Sequence, residues 1–517
     1  MPQKKQRTIL MVTSEVFPFV KSGGLADVTG SLSRVLSSRG NDVRIVMPLY
    51  GSMSIKGFTV AVSALKVQTG FGEEGCSVLE TTLPESEIPV YLIKHDSFFT
   101  KREGLYGSKE EPFFADNAKR FGFFCRSAVA LLEALRLSVD VVHAHDWQAA
   151  LSPVYIQADW TAERGKRPAS VLTIHNIAYQ GEFSPHSIHY LGLSPSWFRE
   201  TRNTAGDTVG DTSLRCINFL RTGILHADMI TTVSPTYAEE IRTQALGAGL
   251  DSLLSQRAKD LKGVLNGIDY EVWNPETDPA LPSPFSEKDL GGKAEAKREL
   301  RRRIGLKPAE LKGREDDTET ELPLIGMVTR LAEQKGFPEL LTGEQAALPR
   351  LLSRRNAEFV ILGTGNPDYE RRLKELASSY ENLKVIIGFS EEMAHLIEGA
   401  SDFFLMPSRY EPCGLNQMYS LRYGTLPIVH RTGGLKDTVE PYDPLTGGGT
   451  GFLFDRMDPD EIVNTVTGAI MVYREKPEHI RRMRIRAMEK RFSWDSSAEQ
   501  YEAIYDEAAN RKRIPQS

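Results

Sequence analysis

Cationic side chains stand beside two turns of this 517-residue chain where an anion could be held. Lys21 stands just before the glycine pair of KSGGLADV, with Ser22 between, and Arg330 and Lys335 bracket the turn in RLAEQKG. A lysine next to free backbone N–H groups can neutralise a diphosphate or grip a sugar hydroxyl. Two cations beyond the end of a strand can cradle a diphosphate and stabilise the charge of a departing phosphate. The glycine pair recurs in RTGGLKDTVE, where Gly433, Gly434, Leu435 and Asp437 repeat the offsets of Gly23, Gly24, Leu25 and Asp27. Where such a pair joins a strand to a helix, backbone N–H groups and the positive helix end meet a phosphate. Taken alone, each pair is explained as well by the tight bend that glycine permits.

Three further constellations lie close to apolar runs. Glu411, in SRYEPCGL, sits on a turn fixed by a proline and a glycine. A carboxylate there can accept hydrogen bonds from sugar hydroxyls or help a reacting ring carry positive charge. No second carboxylate is spaced to pair with it, so acid/base work of the glycosidase kind is not supported. His143, His145 and Asp146 form an HxHD pattern in VVHAHDW, yet no carboxylate–histidine set completes a four-ligand metal site, and a structural role is expected. His175 and Asn176 end VLTIHN, with Tyr179 nearby. A histidine there can donate to a hydroxyl, offer its backbone carbonyl to a cationic sugar, or be a satisfied core residue.

The elements that must position these groups alternate. Residues 8–14 are expected to form a buried strand, followed by the glycine turn, a helix over 27–38 and a strand in DVRIVMPLY, the order of a parallel α/β sheet. Strands are also expected in VSALKVQTGF, SEIPVYLIKHD, VDVVHAHDW, ASVLTIHN and ADMITTVS, with a long helix over 116–136. NPETDPALPSPF (274–285) has the proline-rich, polar composition of a connector; a charged helix over 293–304 and the acidic segment 306–323 follow. After Pro323 the alternation restarts, so that a second α/β unit of about 170 residues is expected.

Length alone points to two domains. The composition, 40% hydrophobic and 26% charged, is that of a globular protein, and a formal charge of -6 argues against a general nucleic-acid binder. Four scattered cysteines lack CxxC spacing, which fits reduced thiols. No apolar run approaches the roughly 18 residues of a membrane span, and the opening MPQKKQRTILMVTSEV reads as a first strand rather than an export signal.

Taken together and in order, KSGGLADV, HAHDW, TIHNIAYQG, VLNGIDYEVWNP, TRLAEQKG, EPCGLNQ and RTGGLKDTV resemble the bacterial glycogen synthases and plant starch synthases, over nearly the whole chain. The resemblance implies an α/β fold of two facing Rossmann-like domains (GT-B type) with an interdomain cleft. It implies a first domain over 1–275 completed by a C-terminal helix near 495–510, a connector over 276–322 and a nucleotide-sugar-binding domain over 323–494. The reaction implied is retaining transfer of glucose from ADP-glucose to the non-reducing end of an α-1,4-glucan such as glycogen or a malto-oligosaccharide, in the cytoplasm. No cofactor, metal, nucleic acid or membrane is implied.

By the same resemblance Lys21, Gly23 and Gly24 lie against the donor's diphosphate and sugar, and Asp27 by the donor or the acceptor end. The main-chain carbonyl of His175 lies near the anomeric carbon, and Asn266 contacts a glucose hydroxyl. Arg330 and Lys335 hold the diphosphate, Glu411 contacts glucose hydroxyls, and Thr432, Gly433 and Gly434 cap the distal phosphate. Ser22 and Tyr410 depart from the residues usual in the family without threatening the chemistry. The competing expectations are UDP-glucose as donor, a small sugar as acceptor, and a non-catalytic glucan-binding protein. A nicotinamide dehydrogenase requires a GxGxxG after the first strand, which KSGGLADV lacks.

Overall fold

The computed structural model describes residues 6–161, 165–198, 216–306 and 322–511; the acidic segment 312–321 lies outside them. The chain divides into two compact units. The first runs to Gly267, apart from Ser234–Tyr237, and resumes at Trp494; the second is Ile268–Ser493 together with Ser234–Tyr237.

In the first unit the strands are β1 (Thr8–Val12), β2 (Asp42–Pro48), β3 (Thr59–Thr69), β4 (Gly72–Thr82), β5 (Pro89–Lys94), β6 (Val141–His145) and β7 (Ala169–Ile174). The short β8 (Glu182–Phe183) and β9 (Ile217–Asn218) form a separate ribbon, and β10 (Met229–Thr232) and β11 (Leu261–Gly263) complete the set. The main sheet has the order β11-β10-β7-β6-β1-β2-β5-β4-β3 and is parallel except at β3–β4 and β4–β5. Strands β6 and β7 are buried at every residue, as continuous apolar strands covered on both faces must be. Strand β4 was not expected from GEEGCSVLETT, because it belongs to an antiparallel edge where polar and buried residues alternate. Strand order reverses between β1 and β6, so the crevice for a ligand lies beyond their carboxyl ends.

The helix Trp494–Arg511 packs on this first sheet although it ends the described chain. Glu502 accepts from Arg39 Nη2 at 3.0 Å and Asn41 Nδ2 at 2.9 Å, Arg7 pairs with Asp506, and Tyr505 reaches His143 at 2.9 Å.

The second unit has strands β12 (Leu324–Val328), β13 (Glu358–Gly363), β14 (Leu383–Ile387), β15 (Phe403–Met406), β16 (Leu426–His430) and β17 (Phe452–Phe454). They form an all-parallel sheet in the order β14-β13-β12-β15-β16-β17, the 3-2-1-4-5-6 arrangement of a Rossmann sheet, with its switch point between β12 and β15.

The boundaries differ from those expected. The first division falls after Gly267 rather than at 275, and the described residues of 276–322 belong to the second unit rather than to a connector. Trp273 lies between His395 and Tyr419, with ring centroids 3.8 and 3.7 Å away and planes within 13° and 7°. Asp278 accepts from His395 Nδ1 at 2.8 Å and from the Tyr423 hydroxyl. The prolines therefore shape a packed loop. The expected charged helix is present as Gly291–Ile304, but one row of its charges is turned inward while Glu295, Arg298 and Arg302 stay exposed. Lys293, Lys297 and Arg301, four residues apart on one face, are buried. Lys297 lies 2.7 Å from Asp402, Arg301 Nε donates to Glu358 at 2.7 Å, and Lys293 donates to the Gly399 carbonyl at 2.9 Å and Thr425 at 2.6 Å.

Candidate active site

Beyond the carboxyl end of β1 the chain turns through Thr13, Ser14 and Glu15 before the helix Gly24–Ser38. Glu15 is buried and accepts from the Ser22 hydroxyl at 2.6 Å, from the Ser22 N–H and from the Tyr106 hydroxyl. That carboxylate thus folds the Lys21–Gly24 turn back against the strand end. Lys21 is half-exposed and lies 2.8 Å from Asp27, so the two form an ion pair. A Cβ on Gly23 or Gly24 would meet nothing within 4 Å, which leaves the backbone there open to approach.

On the other side of the switch point, His143 and His145 project from one face of β6 with the period of two that a strand imposes. His143 bonds Tyr505 through Nδ1 and Thr173 through Nε2, at 2.9 and 2.6 Å. The ring of His145 lies over that of His143 with centroids 4.1 Å apart, and its Nδ1 is 3.1 Å from Nε2 of His175. Burial pushes the His143 and His175 imidazoles down to about 3 and the His145 ring well below its ordinary value, so all three are neutral near pH 7. The next residue, Asp146, adopts φ +55° and accepts the His175 backbone N–H at 2.7 Å. Burial raises its carboxyl to about 7 despite that bond and one from the Asn176 backbone. Asn266, just past β11, is buried, and its Oδ1 has no hydrogen-bond partner among the described residues. A groove in the same unit is lined by Phe113, Trp147, Tyr179, Gln180 and Glu182; Phe113 and Tyr179 are about half exposed. Phe113 stacks on Phe183 at 5.9 Å, giving the groove an aromatic wall.

In the second unit a cavity opens at the β12/β15 switch point, lined by Thr329 and Arg330 after β12, Ser408 and Glu411 after β15, and by Lys335 and Asn416. Lys335 Nζ donates to Glu411, whose same oxygen accepts from the Ser408 hydroxyl at 2.8 Å. Ser408 is held in turn, its carbonyl accepting from His430 Nδ1 at 2.9 Å. Arg330 is exposed, and its guanidinium has no ion-pair partner among the described residues. The turn Thr432–Gly434 abuts this site, since the Gly434 N–H donates to the Glu411 carbonyl at 3.1 Å.

The two glycine pairs, expected to be equivalent, are not. The second is compelled by packing: Gly433 has φ +43°, a Cβ on it would lie 1.9 Å from the Glu411 carbonyl oxygen, and one on Gly434 2.0 Å from that of Cys413. Gly433→Ala is therefore expected to displace Glu411 and to lower stability by about 2 kcal/mol. A thermal melt together with an activity assay checks both effects.

Among the described residues no group of three or more His, Cys, Asp or Glu side chains is placed to hold a metal ion, and no helix is long and apolar enough to cross a membrane.

The starch synthase catalytic domain describes residues 8–256, and the glycosyl transferases of group 1 describe residues 311–486. A glycogen synthase from Treponema denticola is 43% identical over 504 residues, covering 98% of this chain and 99% of that protein. The chain belongs to the glycogen and starch synthase family. Another member, the glycogen synthase of Anaeromyxobacter sp., is 43% identical over 503 residues, covering 96% of this chain and 98% of that one. Among solved structures the catalytic domain of starch synthase IV from Arabidopsis thaliana, bound to ADP and acarbose, aligns with a TM-score of 0.84 and 31% identity over 98% of this chain and all of that one. A sucrose-phosphate synthase from Thermosynechococcus elongatus, at 15% identity and a TM-score of 0.57, shares the fold alone. The chain is thus a glycosyltransferase of the glycogen-synthase kind with the GT-B fold, two Rossmann-like α/β units.

In this family member sequence reasoning missed Glu15, Tyr106 and Ser408. The signal available for Glu15 and Ser408 is position: each follows a strand beside a switch point. Tyr106 carries no such signal, standing in a loop 91 residues from its partner.

Proposed function

We propose that this chain lengthens an α-1,4-glucan by transferring glucose from ADP-glucose with retention of configuration, in the cytoplasm. The observation that carries the reading is the arrangement of Lys335, Glu411 and Ser408 beside the exposed Arg330 at the Rossmann switch point. Arg330 and Lys335 hold the donor's diphosphate and stabilise its charge as it departs. Glu411 accepts from glucose hydroxyls, and the Thr432–Gly434 turn caps the distal phosphate. In the first unit the Lys21–Gly24 turn binds the donor's diphosphate and sugar, with Asp27 releasing Lys21 to do so. Asn266 offers its Oδ1, which has no partner among the described residues, to a glucose hydroxyl. The His175 carbonyl faces the developing positive charge, and its neutral ring donates to a hydroxyl. The aromatic groove at Phe113 and Tyr179 suits the apolar faces of glucose rings in the acceptor chain.

The bond from the anomeric carbon to the phosphate oxygen breaks, and the acceptor's 4-hydroxyl oxygen bonds to that carbon on the same face. The hydroxyl proton passes to the departing diphosphate, leaving ADP and a glucan longer by one glucose. Neutral His175 adds no charge, so positive charge at the leaving group comes from Arg330 and Lys335. Cytoplasmic action fits the cysteines, none of which is in a disulfide.

Glucose incorporation into glycogen from ADP-glucose and from UDP-glucose, compared side by side for wild type and Glu411→Ala, tests the reading. ADP-glucose-dependent incorporation lost in the variant is expected; preference for UDP-glucose overturns the donor, and silence with both overturns the synthase reading. Phe389, 82% exposed just past β14, is offered as the platform for the nucleobase. Its replacement by serine is expected to raise the donor KM about fivefold while kcat changes far less, since a stacking contact contributes about 1 kcal/mol to binding.

A further inference from the structure

The HxHD pattern expected to be structural connects directly to a site residue. His145 is buried at the end of β6, in register with Thr173 on β7, which places the His175 ring within reach two residues later. One imidazole nitrogen of each forms the 3.1 Å contact between them. The other nitrogen of His145, Nε2, is buried with no hydrogen-bond partner among the described residues. The ring of His145 cannot turn freely, because it lies over His143, itself tied to Tyr505 and Thr173 at both nitrogens.

We propose that His145 is a positioning residue for glucosyl transfer, orienting the His175 ring and fixing its proton on Nδ1. The inference rests on the reading that His175 serves the donor glucose. A neutral imidazole carries one N–H and one lone pair. If His145 were protonated at Nε2, that N–H would be buried without an acceptor, which costs more than a bare lone pair in the same place. The proton of His145 therefore belongs on Nδ1, where it donates to His175 Nε2. His175 then accepts at Nε2 and keeps its own proton on Nδ1, free to donate to a sugar hydroxyl. With the backbone N–H of His175 held by Asp146, both the ring and the main chain of this residue are fixed before substrate arrives.

The test joins spectroscopy of the intact protein to kinetics. In histidine labelled with ¹⁵N and ¹³C, the His175 signals, identified by their loss in His175→Gln, are expected to show the Nδ1–H tautomer; an Nε2–H pattern overturns the proton assignment. His145→Leu is expected to lower kcat about 10²-fold with donor KM shifted far less, as a misaligned group does. His145→Asn, which places an amide N–H where Nδ1 stood, is expected to recover activity to within about tenfold of wild type. Wild-type kcat in His145→Leu, with His175→Ala inactive, overturns the positioning role and leaves the synthase reading intact. Full activity in His175→Ala instead removes the reading on which the inference rests. Should His145→Leu fail to fold, the wild-type tautomer decides.

Discussion

Lys335→Gln is expected to lower kcat for glucose transfer by about 10²–10³-fold, because the charge lost is one of the two proposed to stabilise the departing diphosphate. Arg330→Gln is expected to do the same, but the two differ in stability. Arg330 is exposed and has no ion-pair partner among the described residues, so its loss is expected to leave the melting temperature unchanged. Lys335 is paired with the buried Glu411, and removing it strands a carboxylate whose remaining side-chain partner is Ser408. That variant is expected to lose about 1–3 kcal/mol. Adding Glu411→Gln to Lys335→Gln is expected to restore much of the stability and none of the activity. Steady-state kinetics and thermal melts of the four proteins check this, and an active double variant would count against both assigned roles.

Asp402→Asn is expected to destabilise the second unit by about 3–5 kcal/mol, the range for breaking a buried charge network. Its carboxylate lies 2.7 Å from Lys297, pairs with Arg484 and accepts the Leu324 N–H at 2.9 Å. Burial alone would raise this carboxyl; Lys297 and Arg484 overcome burial and hold it well below its ordinary 3.8. A depressed carboxyl contributes stability that is complete above 3.8 and lost as pH falls further. The first unit behaves differently. His143 and His175, pushed by burial from 6.5 to about 3, contribute stability that is complete above 6.5 and lost as pH falls below it. Asp146, raised from 3.8 to about 7, opposes them, since its contribution is complete below 3.8 and lost as pH rises through 7. His145 adds to the first trend, so imidazoles outnumber the opposing carboxyl. On acidification, hydrogen exchange is expected to rise first around β6 and β7, and around Asp402 only below about pH 4. Urea midpoints of wild type and Asp402→Asn, measured at pH 7 and at pH 3, check the second trend: the gap between them should narrow at pH 3.

Much of this was legible in the amino-acid order. Parallel strands covered on both faces leave continuous apolar runs, so β1, β6, β7 and β12 stand out. Residues that act at strand ends sit in turns next to those runs, which is why Arg330, Lys335, His175 and Glu411 could be singled out. What escaped depends on partners far along the chain. Glu15 looks like a lone acid until Tyr106 is beside it. The helix Gly291–Ile304 reads simply as charged, because nothing near Lys297 or Arg301 announces Asp402 or Glu358. The proline-rich stretch after Trp273 has linker composition, and the bonds of Asp278 to His395 and Tyr423, far along the chain, show that it is packed.

The return of the helix Trp494–Arg511 to the first sheet sets an order of events during synthesis. A growing chain that has reached Ser493 already contains every residue of the second unit. It still lacks Tyr505 for His143, Glu502 for Arg39 and Asp506 for Arg7. The half translated first is thus the half finished last, and a stop codon just before Trp494 would spare the later-made unit while leaving the earlier one incomplete.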